Sequence, residues 1–227
     1  MPKLSIIVPV FNEVGTIQAV LERLLVLPLD KEIIVVDDGS IDGTGEKINN
    51  FSSRIKILKH EINRGKGAAI RSGLACSQGQ FIAFCDADLE YDVSQILILF
   101  EYISQKDAAV VYGSRFIEYQ PKKNFIHYLG NRFLTWLTNW LFGAKLTDME
   151  TAYKMFRADI IKNMALTSRR FEIEPEITAK ILKQRIKITE LPITYDPRVK
   201  KEGKKIKYRD GLTAVKVLIR EKIKRAK

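Results

Sequence analysis

Short apolar runs alternate with stretches of helical period through the first 112 residues. Leu4-Ser5-Ile6-Ile7-Val8-Pro9-Val10, Glu32-Ile33-Ile34-Val35-Val36, Ile55-Lys56-Ile57-Leu58, Phe81-Ile82-Ala83-Phe84-Cys85 and Ala108-Ala109-Val110-Val111-Tyr112 each read as a strand. Runs this short, apolar at consecutive positions, suit strands covered on both faces. Between the first two, Val14 to Leu27 places apolar residues at 14, 17, 20, 21, 24 and 25, the spacing of an amphipathic helix. Helices are also expected near Gly43–Phe51, over Ala68–Ser77 and over Val93–Ser104. The alternation predicts βαβ units and a largely parallel sheet, an α/β fold.

Ligands of such sheets bind beyond the carboxyl ends of the strands, and the polar residues collect there. Asn12 and Glu13 follow the first strand, Asp37 and Asp38 the second, Asp86 to Glu90 the fourth, Ser114 and Arg115 the fifth. In Asp86-Ala87-Asp88, two carboxylates one residue apart repel unless a cation lies between them. The spacing lets both reach one Mg²⁺ or Mn²⁺ whose other ligands are substrate phosphate oxygens. A solvated acidic turn is the alternative. Similarly, Pro9-Val10-Phe11-Asn12-Glu13 also reads as a strand exit with a helix cap. Asp37-Asp38-Gly39-Ser40 reads as a turn with Asp42 capping the next helix, or as a carboxylate for a ribose or a base edge. Asn63-Arg64-Gly65-Lys66-Gly67 has the look of a phosphate-cradling loop. It matches neither GxGxxG nor GxxxxGK[ST], which argues against a dehydrogenase or an ATPase.

Beyond residue 112 the pattern changes. Thr147 to Phe156 starts acidic and ends strand-like, and a helix is expected over Pro175–Lys183, with Glu174 and Glu176 near its favourable N-terminal end. Ile186–Leu191 reads as a strand. Asp210 is placed to cap a final helix in which Leu212, Val215, Leu218, Ile219 and Ile223 lie among Lys216, Arg220, Lys222, Lys224 and Arg225. Such a basic amphipathic helix either lies at a membrane interface or docks with a solvated basic face. Phe125 to Leu146 is interrupted by His127, Asn131, Arg132, Asn139 and Lys145, short of the roughly 18–20 uncharged apolar residues of a bilayer span. It reads as a helix in or near an interface, or as a core helix.

Charge adds a division that the pattern lacks. Residues 1–110 hold 11 Lys/Arg against 15 Asp/Glu, residues 111–227 hold 27 against 12, and the whole chain is +11. A basic second half suits an anionic partner: nucleic acid, an acidic membrane surface or a phosphorylated substrate. At 227 residues and 46% hydrophobic content, one domain over 1–227 is expected. Cys76 and Cys85 show no metal-ligand spacing and suggest free buried thiols in a reducing compartment. The first residues show no signal-peptide anatomy.

As an ordered set, Val8-Pro9-Val10-Phe11-Asn12-Glu13, Val36-Asp37-Asp38-Gly39-Ser40, Asn63-Arg64-Gly65-Lys66-Gly67 and Asp86-Ala87-Asp88 resemble the family 2 nucleotide-sugar glycosyltransferases of GT-A fold. The polyprenol-phosphate (dolichol-phosphate) mannosyltransferase group is the narrower resemblance. It rests on Asp86 to Asp92, Tyr112-Gly113-Ser114-Arg115-Phe116, Thr147-Asp148-Met149-Glu150-Thr151, Phe171 to Glu176 and Arg198 to Gly211. It implies a GT-A (Rossmann-like) sheet flanked by helices, with a nucleotide-sugar half at 1–112, an acceptor half at 113–200 and a basic loop and helix at 201–227. Pro9, Phe11, Glu13, Val36 and Asp38 would line the nucleotide pocket, and Asp86 and Ala87 would touch the nucleotide or its diphosphate. Asp88 and Glu90, with Asp86 nearby, would hold Mg²⁺ or Mn²⁺; the family often has Gln at the position of Glu90. Arg115 would meet the acceptor phosphate, helped by Arg132, while Arg198 and Lys204 match a loop that closes over phosphates.

The implied reaction moves a hexose, mannose from GDP-mannose first, to a polyprenyl phosphate at the cytoplasmic face of a membrane. Membrane contact is direct or through a membrane-spanning partner. A divalent ion would neutralise the leaving nucleoside diphosphate. An acceptor phosphate is already anionic and needs orientation by arginine more than deprotonation. Asp88 and Arg115 are therefore the expected catalytic pair, and His60 and His127 fall outside the key motifs. Asp148 reads as an organiser of arginines rather than a base, and Lys66 is left without a fixed role. The alternatives are a UDP-glucose or other UDP-sugar enzyme with the same acceptor, or a non-catalytic basic membrane- or nucleic-acid-binding module. No nucleic-acid motif appears.

Overall fold

An interior strand, β1 (Leu4–Val10), is buried along nearly its whole length and sends alternate side chains into different cores. In the computed structural model, which describes residues 2–118, 125–196 and 208–224, the chain continues as α1 (Ile17–Val26), β2 (Lys31–Asp37), α2 (Thr44–Asn49) and β3 (Lys56–Lys59). Then come α3 (Lys66–Cys76), β4 (Phe81–Phe84), α4 (Gln95–Gln105), β5 (Val110–Ser114) and α5 (Phe125–Phe142). The chain ends as β6 (Lys154–Arg157), α6 (Ala158–Lys162), α7 (Ile173–Lys183), β7 (Ile188–Pro192) and α8 (Tyr208–Ile223).

The seven strands form one sheet in the order β3-β2-β1-β4-β6-β5-β7. Strands β1 to β4 pair in parallel, β7 is parallel to β5, and only β6 runs against its neighbours β4 and β5. The ends of β1, β2, β4 and β5 therefore share one edge. Register brings Val10 level with Asp37, so the polar residues after β1 and β2 emerge side by side.

Leu4, Ile6, Val8 and Val10 pack with Ile17, Val20, Leu21 and Leu24 of α1 and with Ile96, Leu99 and Ile103 of α4. Ile7 faces Ile70 and Leu74 of α3 and joins a core with Ile173, Ile177 and Ile181 of α7. Burial on both faces explains why the strands read as unbroken apolar runs. A third core, of Leu134, Leu137, Leu146, Met149, Ala179, Ala214 and Leu218, joins α5, α7 and α8.

Three expectations shift. The last helix begins at Tyr208, so Asp210 lies in its first turn instead of capping it. Helix α7 begins at Ile173, and α6 follows β6 with no turn signal that marked it in advance. Cys85 is buried, its thiol pushed up to about 12 by desolvation, but Cys76 is exposed.

Close packing of α3 on β1 depends on Gly73, where a Cβ would lie 2.5 Å from Ile7 Cγ2. Gly73→Ala should cost about 1–3 kcal/mol through overpacking, read as a lower urea midpoint at unchanged slope. Gly130→Ala on α5, with nothing within 4 Å of the added methyl, should instead hold or raise stability by up to about 1 kcal/mol.

Candidate active site

At the shared edge, the exits of β1 and β2 are stitched together before any ligand is considered. Asn12 adopts a positive φ of 49°; its N–H donates to Ser40 Oγ and its Oδ1 accepts from Ile41 N, both at 3.0 Å. Glu13 N donates to Thr44 Oγ1 at 2.8 Å. Asp42 accepts from Thr44 N and Val14 N, so it serves the turn, while Gly43 occupies the cap position of α2.

Asp38 is almost wholly buried and binds its own loop. Its Oδ1 lies 2.6 Å from His60 Nδ1 and accepts from Arg64 N at 2.9 Å, and its Oδ2 accepts from Gly65 N at 2.7 Å. The opposite ring nitrogen of His60 is 2.9 Å from Ser72 Oγ. Two amides of the Asn63–Gly67 stretch, which looked suited to phosphate, are thus turned to a carboxylate of the chain itself. The glycines there serve close approach. At Gly65, with φ of 96°, a Cβ would come within 2.4 Å of Arg169 O, and at Gly67 within 2.6 Å of Ser168 O.

That approach carries Lys66 between two acidic groups. Its Nζ is 2.8 Å from Asp86 Oδ1 and 3.2 Å from Glu174 Oε1. Burial works against the Lys66 charge, but Asp86 and Glu174 more than offset it and hold its pKa above the usual range. Glu174 also pairs with Lys154, which is fully buried beneath the Tyr112 ring. The other glutamates of α7 and its N-terminal flank fasten the loop that Gly65 and Gly67 touch. Glu172 accepts from Arg169 N and Arg170 N, and Glu176 from Thr167 N and Ser168 N. Glu174 and Glu176 therefore act through specific partners more than through the helix dipole.

After β4, Asp86, Ala87, Asp88 and Glu90 line a cavity of 740 Å³. Leu89 between them takes a positive φ of 60°, a strained choice for a branched side chain. Asp88 Oδ1 accepts from Glu90 N at 3.0 Å, and Glu90 Oε2 accepts from Tyr195 Oη at 2.8 Å. Among the described residues no three His, Cys, Asp or Glu side chains gather as a metal-holding group. The lining offers only hard oxygen donors around Asp88. That set fits an ion of the Mg²⁺ type, which uses one or two carboxylates and takes its remaining ligands from phosphate and water.

Across the same cavity, Arg115 is clamped by Asp148. Its Nε and Nη2 reach Asp148 Oδ2 and Oδ1 at 2.6 and 2.7 Å, and its backbone N–H reaches Oδ2 at 3.0 Å. The guanidinium lies over the rings of Phe116 and Tyr195, each 5.2 Å away. Burial disfavours its charge, yet Asp148 keeps its pKa raised. Asp148, fully buried, is oriented in turn through its own N–H to Glu190 Oε1. Both carboxylate oxygens of Asp148 are thus committed to Arg115.

A parallel sheet edge with a carboxylate cluster facing a fixed arginine is the setting in which the comparisons with known proteins gain meaning. Residues 5–165 match the family model described as glycosyl transferase family 2. The chain belongs to that family. It is 27% identical over 208 residues to a dodecaprenyl-phosphate galacturonate synthase of Rhizobium johnstonii, covering 86% of this chain and 60% of that protein. A dolichyl-phosphate beta-glucosyltransferase of Dictyostelium discoideum is 27% identical over 85% of this chain and 66% of its own length. An undecaprenyl-phosphate mannosyltransferase of Micrococcus luteus is 25% identical over 87% and 85%. The chain thus spans about three fifths to two thirds of the first two relatives. A glucosyl-3-phosphoglycerate synthase from Mycobacterium tuberculosis, solved with Mn²⁺ and uridine diphosphate, superposes with a TM-score of 0.76 at 16% identity, over 97% of this chain and 80% of that one. The GT-A fold is shared.

Within this family 2 glycosyltransferase, Pro9, Phe11, Glu13, Asp38, Lys66, Asp86, Ala87, Asp88, Glu90 and Arg115 all reach the one cavity. Val36 does not. Its side chain is fully buried with Ile34 and Ala69, because it points from β2 toward α3. Arg132 is exposed and donates to the Thr147 carbonyl at 3.2 Å, outside the lining. Arg198 and Lys204 lie outside the described residues. Their described flanks, Tyr195 on one side and Asp210 on the other, both line the cavity. Tyr195 is held there by a bridge to Tyr91, whose ring stacks on Tyr153 at 4.6 Å.

His60, Lys154 and Tyr195 had no assigned role from the sequence, and neither did Glu150. Glu150 Oε1 is buried without a hydrogen-bond partner, and the residue lines the cavity. Burial pushes its carboxyl up to about 7, opposed by Lys154 and reinforced by Glu174. Between the unfolded value of about 4.5 and about 7 the folded chain holds a proton that the unfolded chain has lost. Stability from this group is therefore full below about 4.5 and falls as pH rises through 7. Glu150→Gln should leave the urea midpoint unchanged at pH 4.5 and raise it at pH 8, a gain of roughly 1–3 kcal/mol in unfolding free energy. An equal effect at both pH values would refute the assignment.

Proposed function

We propose that this family 2 glycosyltransferase transfers a hexose from a nucleoside diphosphate sugar to a polyprenyl phosphate, with inversion at the anomeric carbon. The observation that carries the reading is one cavity with carboxylates of β4 on one wall and the Asp148-clamped Arg115 on the other. The named relatives differ in sugar, being galacturonate, glucosyl and mannosyl enzymes, but share a polyprenyl phosphate in their names. The acceptor is thus the better supported half.

In the reaction, an oxygen of the acceptor phosphate attacks the anomeric carbon, and the bond from that carbon to the nucleoside diphosphate breaks. The leaving diphosphate keeps the electron pair. Asp88, flanked by Asp86 and Glu90, would hold a divalent ion, which when bound would offset that charge. Lys66 adds a fixed positive charge beside Asp86. Arg115 presents the guanidinium edge not held by Asp148 to the acceptor phosphate, and Arg198 and Lys204 follow a flank that already lines the cavity. Because the attacking oxygen is anionic, no base is required, and Asp148 serves to aim Arg115.

GDP-mannose is the first donor to test. UDP-glucose is the second, favoured by the dolichyl-phosphate glucosyltransferase relatives. A donor panel with a short-chain polyprenyl phosphate and Mg²⁺ or Mn²⁺, read by mass of the lipid product, decides among them. Asp88→Asn should lower kcat by about 10²-fold or more with melting unchanged. Arg115→Lys, which loses the planar fork, should chiefly raise KM for the phosphate acceptor. Full turnover in Asp88→Asn, or an Arg115→Lys effect confined to the donor, would overturn these roles.

A further inference from the structure

Helix α5 is apolar on both sides. Leu134 and Leu137 turn inward with Thr135 and Thr138, all buried. Outward, at spacings of four, three and four residues, stand Leu129, Phe133, Trp136 and Trp140, from 50% to 70% exposed. The aromatic members lie in a row, with Phe133 and Trp136 centroids 6.0 Å apart and the two indoles 6.4 Å apart with planes nearly parallel at 8°. Helix α8 packs alongside and repeats the device, with exposed Leu212, Ile219 and Ile223 set among exposed Lys216, Arg220, Lys222 and Lys224. Lys222 Nζ lies 5.6 Å from the Phe142 ring centre and so spans the two helices.

Charge decides what covers this face. Helix α5 contains no acidic residue, and the acidic residues of α8 do not face outward freely. Glu221 is buried beside Arg220 and Lys224, and Asp210 lines the cavity. A face that is apolar and basic, without exposed carboxylates, repels its own copy. It complements a surface with apolar depth and anionic headgroups, where indoles sit at the interface and Lys and Arg reach outward to phosphate.

We infer that the outer faces of α5 and α8 form a docking surface for an anionic lipid bilayer, with Phe133, Trp136 and Trp140 entering the headgroup region. The inner faces of the same helices, through Asn131, Leu134, Gly211 and Ala214, line the cavity. A phosphate borne on a membrane lipid would then meet the site from the side that touches the membrane. In this the inference rests on the proposed polyprenyl phosphate acceptor, though the surface itself does not.

Trp136 and Trp140 are the chain's two tryptophans, so intrinsic fluorescence reads this face alone. With vesicles of phosphatidylcholine and phosphatidylglycerol, emission should shift to the blue and be quenched by bromine-labelled acyl chains, with much less change for phosphatidylcholine alone. The Trp136→Ser, Trp140→Ser double variant should lose about tenfold or more in vesicle co-sedimentation and in turnover of vesicle-embedded acceptor. Its turnover of a short-chain acceptor in solution should stay at the wild-type level. No spectral response to anionic vesicles overturns the inference, as does a blue shift that follows protein concentration without lipid and marks a second copy as the occupant. Equal loss with both acceptors overturns it too. Vesicle binding without turnover of any polyprenyl phosphate would support the surface and sink the acceptor assignment instead.

Discussion

The ammonium of Lys66 is the point on which the site turns. It stands between Asp86, at the end of β4, and Glu174, in the first turn of α7. Those two elements lie in different parts of the chain, and the pair of contacts fixes the sheet edge against the helix that backs it. A second buried cation, Lys154, reaches Glu174 from β6, so one carboxylate collects two ammonium groups. Burying such a chain of charges removes each from water, a cost that Coulomb attraction rarely exceeds by much. Its consequence is positional: removing any one member leaves an uncompensated charge in the interior.

Around that point, the loop geometry follows from space as much as from charge. Gly65 and Gly67 bring α3 against the backbone of Ser168 and Arg169, and Ala68 N–H is satisfied by the Arg169 carbonyl at 3.0 Å. The loop they touch is itself held by Glu172 and Glu176. Burial works against the Glu176 charge, but hydrogen bonds from Lys180, Ser168 and Thr167 win and hold its carboxyl down to about 2. Three glutamates in one short stretch thus do two jobs: Glu174 pairs with buried lysines, while Glu172 and Glu176 hold the loop.

Much of the scaffold was legible because its signals are local. Consecutive apolar residues in β1, β2 and β4 betray burial on both faces, and the polar residues that follow them fall at one edge by the rule of parallel sheets. Asp86, Asp88 and Arg115 were found this way, and all three reach the cavity. What escaped depends on partners far along the chain. His60 carries no motif, and only folding brings it to Asp38. Val36 was expected at the nucleotide from the family resemblance alone, and the strand turns its side chain to the other side, against Ile34 and Ala69. The double-sided character of α5 was half visible: its apolar content showed, but only packing against Met149, Ala179 and Leu218 tells which side is left outward.

The same buried charges bear on how a ligand is received. Asp86, Asp88 and Glu90 alone would concentrate negative potential and repel a diphosphate. Lys66 beside Asp86 offsets one of those charges, while the Tyr195 hydroxyl orients Glu90 without changing its charge, so the wall stays acidic before anything binds. A bound diphosphate would add negative charge to that wall, and a divalent cation held at Asp88 would offset it. On the facing wall Asp148 is committed to Arg115, so in the proposed reaction an acceptor phosphate would meet a guanidinium whose direction is already set.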